Sequence, residues 1–251
     1  MATDKNNIEA HGPLHQFEIN EIVPIEIFDI NISFTNSSLW MIISVILSSF
    51  ILIFGVRKGS LEPSRWQVLV EMSYEFIANM IRDNVGSSGR PYFPFIFTLF
   101  IFILFGNVLG MVPYSFTYTS HIAVTFFMAF IVFMGVTFIG IFKHGLKFLK
   151  FFVPSGVPKP LLPLLIPIEI ISYFIRPVSL SLRLFANMMA GHTMMKVFAG
   201  FVFMLGIYGG WAPLSFIVIL TGFEIMIAAL QAYVFTILSC LYLNDALHLE
   251  H

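Results

Sequence analysis

Charge is scarce in this sequence. Only 11% of its 251 residues are Asp, Glu, Lys or Arg, against about 25% in a typical soluble domain. With 58% hydrophobic residues and a mean hydropathy of +0.89, the composition excludes a water-soluble globular domain and defines a polytopic membrane protein. A basic excess is also missing. The net charge is −1 and there is no basic arm, which excludes a nucleic-acid partner. The single cysteine, Cys240, sits in an apolar run. It excludes an internal disulfide and reads as a small buried apolar residue. The opening MATDKNNIEAHGPLHQFEINEI lacks the basic region and apolar core of a signal peptide. It also lacks the Arg-rich, acid-poor character of a transit peptide, so a bacterial or organelle-encoded source is expected.

Long apolar runs are what the chain has instead. Residues 1–38 read as a polar leader with a short extended piece at IEIFDINISF, and residues 39–251 as a single membrane domain. Spans are expected at 39–56, 93–112, 121–142, 168–198 and 213–247. The stretch 64–84 differs. Trp66, Leu69, Val70, Phe76, Ile77 and Met80 mark an apolar face, while Arg65, Glu71, Glu75 and Arg82 interrupt it with charge. This is the pattern of an amphipathic helix at the interface or against a partner. The last two spans hold some 31 and 35 residues, about 46 and 52 Å of helix. Both exceed a hydrocarbon core of about 30 Å, so they must tilt, kink or protrude, and Pro177 is a candidate bend. Gly206, Gly209 and Gly210 supply a turn between them. The expected fold is an all-α membrane protein with five membrane-embedded helices and one amphipathic interfacial helix. Its last two helices form a long, steeply tilted hairpin. Arg57, Lys58 and Arg65 follow the first span, and Lys143, Lys147, Lys150 and Lys159 follow the third. The positive-inside rule then puts the N-terminus outside and the C-terminus in the cytoplasm or its matrix equivalent.

Within the last two spans the few polar residues are the informative ones. Arg183 lies in IRPVSLSLRLFANMMAGH with apolar residues on both sides. A guanidinium cannot neutralise itself by losing a proton, and an uncompensated charge at mid-bilayer costs several kcal/mol. Arg183 therefore either snorkels to an interface or faces a partner or water within the membrane, and the second is expected, because Arg176 is the residue better placed to snorkel. Antiparallel neighbours would match Arg183 with Gln231 at one depth and His192 with Glu224 further out, because Arg183 and His192 are about 13.5 Å apart along the axis and Gln231 and Glu224 about 10.5 Å. Glu169 lies about 21 Å of helix to the inside of Arg183. Proton-exchanging groups thus stand on either side of a permanent cation, which would separate two aqueous half-paths. Each residue also has a plainer reading. Glu224 could pair with His192 or Lys196 to lower the cost of burial, and His192 could be an interfacial histidine without a relay role. Asn187 and Gln231 could be hydrogen-bonding glue between helices. Lys196 reads as a snorkelling anchor, and Gly191 and Gly222 as sites of close helix packing. Asn107, in the second span, needs a hydrogen-bond partner in hydrocarbon.

RPVSLSLRLFANMMAGH together with GFEIMIAALQAYVFTILSCLYL closely resembles subunit a of F-type ATP synthases. PIEIISYFIRPVS and FGNVLGMVP are also similar to this family, so the resemblance covers most of the chain from about Leu39 onward. It implies a stator subunit beside a rotating ring of c subunits, with peripheral-stalk b-type subunits and other ATP synthase subunits as partners. Arg183 matches the family's essential arginine, opposite the ring carboxylate. Glu224, His192, Asn187 and Gln231 match positions of the outer proton path or the arginine's neighbourhood, and Glu169 and Ser172 would lie on the inner side. The implied activity is proton translocation within a rotary complex, with no catalytic residue, metal or cofactor of the subunit's own. Some bacterial members carry the His192 and Glu224 residue types in exchanged order. The order here resembles mitochondria-like members and favours an alphaproteobacterial or mitochondrial-type source and a proton over sodium. The implied location is the bacterial inner membrane, or the mitochondrial inner membrane if the chain is organelle-encoded. Two rival classes remain at this point: a self-contained proton-coupled secondary transporter, which the lack of an obvious inverted repeat weakens, and a purely structural assembly protein.

Overall fold

A computed structural model describes residues 17–24, 26–27, 30–31, 33–56, 64–112, 115–145, 148 and 159–248. Arg57, Lys58, Lys147 and Lys150, on which the orientation of the chain partly rests, lie outside the described residues, as does the start of the leader. The extended piece of the leader forms two small antiparallel pairings, β1 (Glu21–Val23) with β4 (Phe34–Thr35) and β2 (Glu26–Ile27) with β3 (Ile30–Asn31). Among the described residues six α-helices follow: α1 (Asn36–Val56), α2 (Arg65–Val85), α3 (Phe93–Gly110), α4 (Ile122–His144), α5 (Leu162–Gly209) and α6 (Trp211–Leu247). Five helical stretches are long and apolar enough to cross a membrane: Asn36–Val56, Arg65–Gly110, Ile122–His144, Leu162–Gly209 and Trp211–Leu247. Large apolar side chains such as Ile46, Ile53, Phe142 and Phe203 are exposed along them. An apolar surface this extensive requires lipid or protein to cover it. The chain is an all-α membrane protein.

The start of α2 is set by Ser64, whose hydroxyl accepts from the Gln67 N–H at 3.3 Å, an N-cap that satisfies one of the helix's orphan donors. Its end is set by Gly86, whose φ of 75° suits glycine and lets its N–H reach the carbonyls of Arg82 and Ile81. The apolar residues of α2 divide between two faces. Val70, Ile77 and Met80 are buried, together with Ile81 and Val85, whereas Trp66, Leu69 and Phe76 are exposed. The single apolar face read from the sequence is therefore two, one packed within the protein and one turned outward.

The α5 helix extends beyond its expected bounds, starting at Leu162 and running through the apolar FVFML stretch. Helical dihedrals continue through Pro177. The one non-helical residue is Gly206 (φ 61°, ψ −160°), in a region that disfavours residues with a Cβ. The chain turns there, and the Gly210 N–H bonds the Gly206 carbonyl at 2.9 Å.

By internal contacts the residues group into two compact units. The first comprises Met1–Phe50, Phe102–His121 and Leu184–Ala232. The second comprises Ile51–Ile101, Ile122–Arg183 and Tyr233–His251. In the second unit α1 meets α2 at Gly55, where a Cβ would come within 2.7 Å of Val70. Phe133, Phe148 and Tyr173 form a buried aromatic cluster, and the Tyr173 and Thr137 hydroxyls bond at 2.6 Å. Arg176 is held by Asp245 at 2.9 Å and lies over the Tyr173 and Tyr242 rings, 5.5 and 5.0 Å from their centroids. It is thus ion-paired and cation–π bonded. The terminal carbonyl of α6, at Leu247, accepts from Lys143 Nζ at 3.2 Å and His144 Nε2 at 3.3 Å. Basic side chains are favourable at the negative end of a helix.

Candidate functional site

The first unit holds the polar cluster. Its α5 and α6 segments meet along a ladder of side-chain contacts. Phe198 stacks on Phe216 at 4.5 Å between centroids, and the Thr221 hydroxyl donates to Met195 Sδ at 3.6 Å. His192 Nδ1 lies 3.5 Å from Glu224 Oε1, and Asn187 Nδ2 donates to Gln231 Oε1 at 2.9 Å. Residue numbers rise on α5 as they fall on α6, so the two segments are antiparallel. The His192–Glu224 match expected from helix rise is present. The other match differs: the Gln231 side chain is bonded to Asn187, one turn beyond Arg183. The rungs step by three to five residues on one helix and three to seven on the other, and side-chain lengths absorb the remainder.

Glycine decides how near Glu224 can come. A Cβ on Gly191 would lie 2.6 Å from Glu224 Oε1, so the missing side chain admits the carboxyl against α5. Gly222 differs, since a Cβ there would meet nothing within 4 Å. Of the two glycines expected at close helix packing, Gly191 alone has a close neighbour among the described residues.

The third wall comes from α3 and the loop after it. Asn107 is fully buried and its Nδ2 donates to the Ala228 carbonyl of α6 at 3.2 Å, which supplies the partner the sequence demanded. After Gly110 the chain folds back on α3. The Tyr118 hydroxyl donates to the Phe102 carbonyl at 3.0 Å, and a Cβ on Gly106 would collide with that hydroxyl. Burial pushes the Tyr118 phenol above its ordinary ionisation range, so it stays a neutral donor. The fold-back delivers Thr117, whose Oγ1 lies 3.1 Å from His192 Nε2 and 3.1 Å from the Gly110 carbonyl. Phe17 of the leader meets the His192 ring edge-on, with centroids 6.5 Å apart. Its carbonyl accepts from His121 Nε2 at 2.8 Å, and Asn36 ties down Glu18 and Asn20 beside it.

Several polar atoms here are buried without a hydrogen-bond partner among the described residues: both Glu224 carboxyl oxygens, Gln231 Nε2 and Asn107 Oδ1. A buried polar group left unbonded costs about 1–3 kcal/mol. Such groups recur where water or an exchanging proton completes the bonding. A guanidinium only donates, so the unbonded Gln231 Nε2 cannot be completed by an arginine.

The remaining sequence-expected residues belong to the second unit or to the outer surface. Arg183 is exposed and has neither hydrogen bond nor ion pair among the described residues. Glu169 is half-buried and Ser172 exposed, near the start of α5. Lys196 is exposed. No cluster of metal-ligand type occurs among the described residues. Sequence reasoning missed Thr117, because an uncharged loop carries no periodic signal that it will fold back onto a histidine 75 residues away. Asp245 was also missed, though extending the antiparallel matching inward toward Arg176 could have found it.

Five membrane-capable helices and a buried histidine–carboxylate pair between two of them define a membrane protein with a buried polar site. Residues 38–244 match the family model described as ATP synthase A chain, and the chain belongs to that family. It is 62% identical over 243 residues to a protein named ATP synthase subunit a from Pelagibacter ubique (strain HTCC1062), covering 96% of this chain and all of that one. It is 57% identical over 245 residues to the protein of the same name from Parvibaculum lavamentivorans, covering 95% and 94%. The Rhodospirillum rubrum protein of that name is 54% identical over 240 residues, covering 96% and 100%.

Proposed function

We propose that this chain is the stator proton-channel subunit of an F-type ATP synthase, conducting protons through two offset half-channels to and from a carboxylate on a rotating c-ring. The observation that carries the reading is the buried His192–Glu224 pair, whose carboxyl oxygens are not otherwise bonded, nine residues along α5 from an exposed intramembrane arginine. A proton enters from outside by way of His192 and Glu224 and neutralises a ring carboxylate. The neutral carboxyl can face lipid and the charged form cannot. After nearly a full rotation the proton leaves on the inner side, near Glu169 and Ser172. The carboxylate left behind is drawn to Arg183 and cannot pass it without being protonated again. Asn187 and Gln231 fix the polar surface one turn from that arginine. Because a guanidinium releases no proton, it is a barrier to leak between the half-paths. Each charge crossing a 100 mV potential contributes about 2.3 kcal/mol.

In this reading the subunit is not catalytic by itself. It works in a bacterial inner membrane with an outward N-terminus and a cytoplasmic C-terminus, against the c-ring and the b-type peripheral stalk. The outward apolar face of α2, with Trp66, Leu69 and Phe76, suits the bilayer interface or the stalk. The test is Arg183→Ala in the assembled complex. ATP-driven proton pumping in membrane vesicles is expected to be lost, and pumping at the unaltered rate would defeat the barrier model. A self-contained transporter would instead move protons when reconstituted without the ring.

A further inference from the structure

We infer that Thr117 fixes the tautomer of His192, so that Nδ1, the nitrogen facing Glu224, is the one that gains and loses the proton. The inference rests on the proton-path reading above and adds a positioning residue to it. Thr117 Oγ1 lies 3.1 Å from the Gly110 carbonyl oxygen and 3.1 Å from His192 Nε2, and the hydroxyl has one proton to give. A carbonyl can only accept. Were the hydroxyl proton aimed at Nε2, the threonine and carbonyl oxygens would face each other lone pair to lone pair. Aimed at Gly110, it leaves Oγ1 free to accept from an Nε2–H, and all three atoms are satisfied. Nε2 then carries a proton in both the neutral and the charged ring, and exchange is confined to Nδ1, 3.5 Å from Glu224 Oε1.

Thr117 is built in rather than adventitious. It is 6% exposed. The Gly110 backbone can approach it only because a Cβ there would lie 2.4 Å from Oγ1. Its own carbonyl accepts from the Ser120 hydroxyl at 2.6 Å, and the Ser115 hydroxyl donates to Gly110 at 2.9 Å. The charged or titratable groups bearing on the ring are Glu224 from α6 and Lys196 one turn along α5, while the nearby His121 donates from its Nε2 to the Phe17 carbonyl. With Nε2–H fixed, the His192–Glu224 pair holds one transferable proton in the gap between Nδ1 and Oε1. The opposite tautomer would fill that gap with a fixed Nδ1–H and turn the exchanging nitrogen toward a hydroxyl that leads nowhere.

The test uses the whole complex in membrane vesicles, with Thr117→Val and Thr117→Ser beside Arg183→Ala. Valine keeps the shape and loses the hydroxyl, whereas serine keeps the hydroxyl and loses a methyl. Thr117→Val is expected to slow proton pumping about tenfold, less than the hundredfold or more lost with a general acid–base group itself, and to move its rate–pH profile. Thr117→Ser is expected to restore both. A purely structural role predicts the reverse order, so a normal Thr117→Val or an equally impaired Thr117→Ser overturns the inference. Should Thr117→Val fail to assemble, 15N NMR of the His192 ring in the unaltered complex decides. Protonated Nε2 at neutral pH supports the assignment, and a neutral ring protonated at Nδ1 overturns it. If Arg183→Ala still pumps, the proton-path reading itself fails. If Arg183→Ala is dead and Thr117→Val normal, the tautomer assignment alone fails.

Discussion

Two polar clusters on the same pair of helices are finished differently. Near the end of α6 in the second unit, Arg176 has a carboxylate at 2.9 Å and two aromatic rings within 5.5 Å, and both members of the ion pair are about a quarter to a third exposed. Every charge there is answered. In the first unit His192 and Glu224 are nearly fully buried, 3.5 Å apart, and neither carboxyl oxygen has a hydrogen-bond partner among the described residues. A site that served only to join helices would close these bonds, as the Arg176 site does. The difference teaches that burial of charge is not the functional signal here. On the proposed reading the signal is burial combined with incomplete bonding, because a group that must take up and release a proton cannot be fully satisfied in either state.

Removing the exchangeable proton at Glu224 should break the comparison most sharply. Glu224→Gln retains the shape and loses the exchangeable proton, so the complex should assemble while ATP-driven proton transport falls about a hundredfold, a typical loss for an essential proton-transfer group. Assembly is read by co-purification of the ring and transport by vesicle acidification. An unaltered rate would reduce Glu224 to a structural partner of His192 and erase the contrast with the Arg176 cluster.

A smaller effect is expected from the glycine beneath the pair. Gly191→Ala puts a methyl carbon where Glu224 Oε1 now lies 2.6 Å away. The carboxyl is the far end of a flexible side chain and can move, so stability should change by no more than about 1 kcal/mol. Transport should fall several-fold as Oε1 is pushed from Nδ1. Gly222→Ala, two residues from Glu224 on α6 and in open space, leaves that gap untouched. Equal losses in the two variants would show that a covering partner, not the carboxyl position, governs the effect.

Much of this contrast was legible in the sequence. Apolar run length located the membrane helices, since about 20 apolar residues suffice for a span. Counting helix rise from Arg183 was enough to set His192 opposite Glu224. What escaped the same arithmetic has definite physical causes. The outward face of α2 shares its 3.6-residue period with the buried one, and only packing shows that Val70 turns in while Leu69 turns out. The end of α5 was placed too early because FVFML is as good a helix as the residues before it, and one positive φ at Gly206 marks the turn. Thr117 was invisible because its partner is set by a backbone reversal held by Tyr118 and Gly106, neither of which has a periodic signature.

The smallest expected effect lies at the satisfied cluster. Asp245→Asn keeps the size of the side chain and removes its charge, leaving Arg176 its contacts with the Tyr173 and Tyr242 rings. Partly exposed ion pairs are worth about 0.2–1 kcal/mol, and cation–π contacts persist without the acid. Thermal unfolding of the purified complex should therefore shift only slightly, and proton transport per assembled complex should stay within about twofold of normal. A double-mutant cycle with Arg176→Gln should return a coupling in the same range. A transport loss as large as that of Glu224→Gln would mean that the paired charges at this end of α6 also carry protons, and that complete bonding does not separate clamps from conduits in this protein.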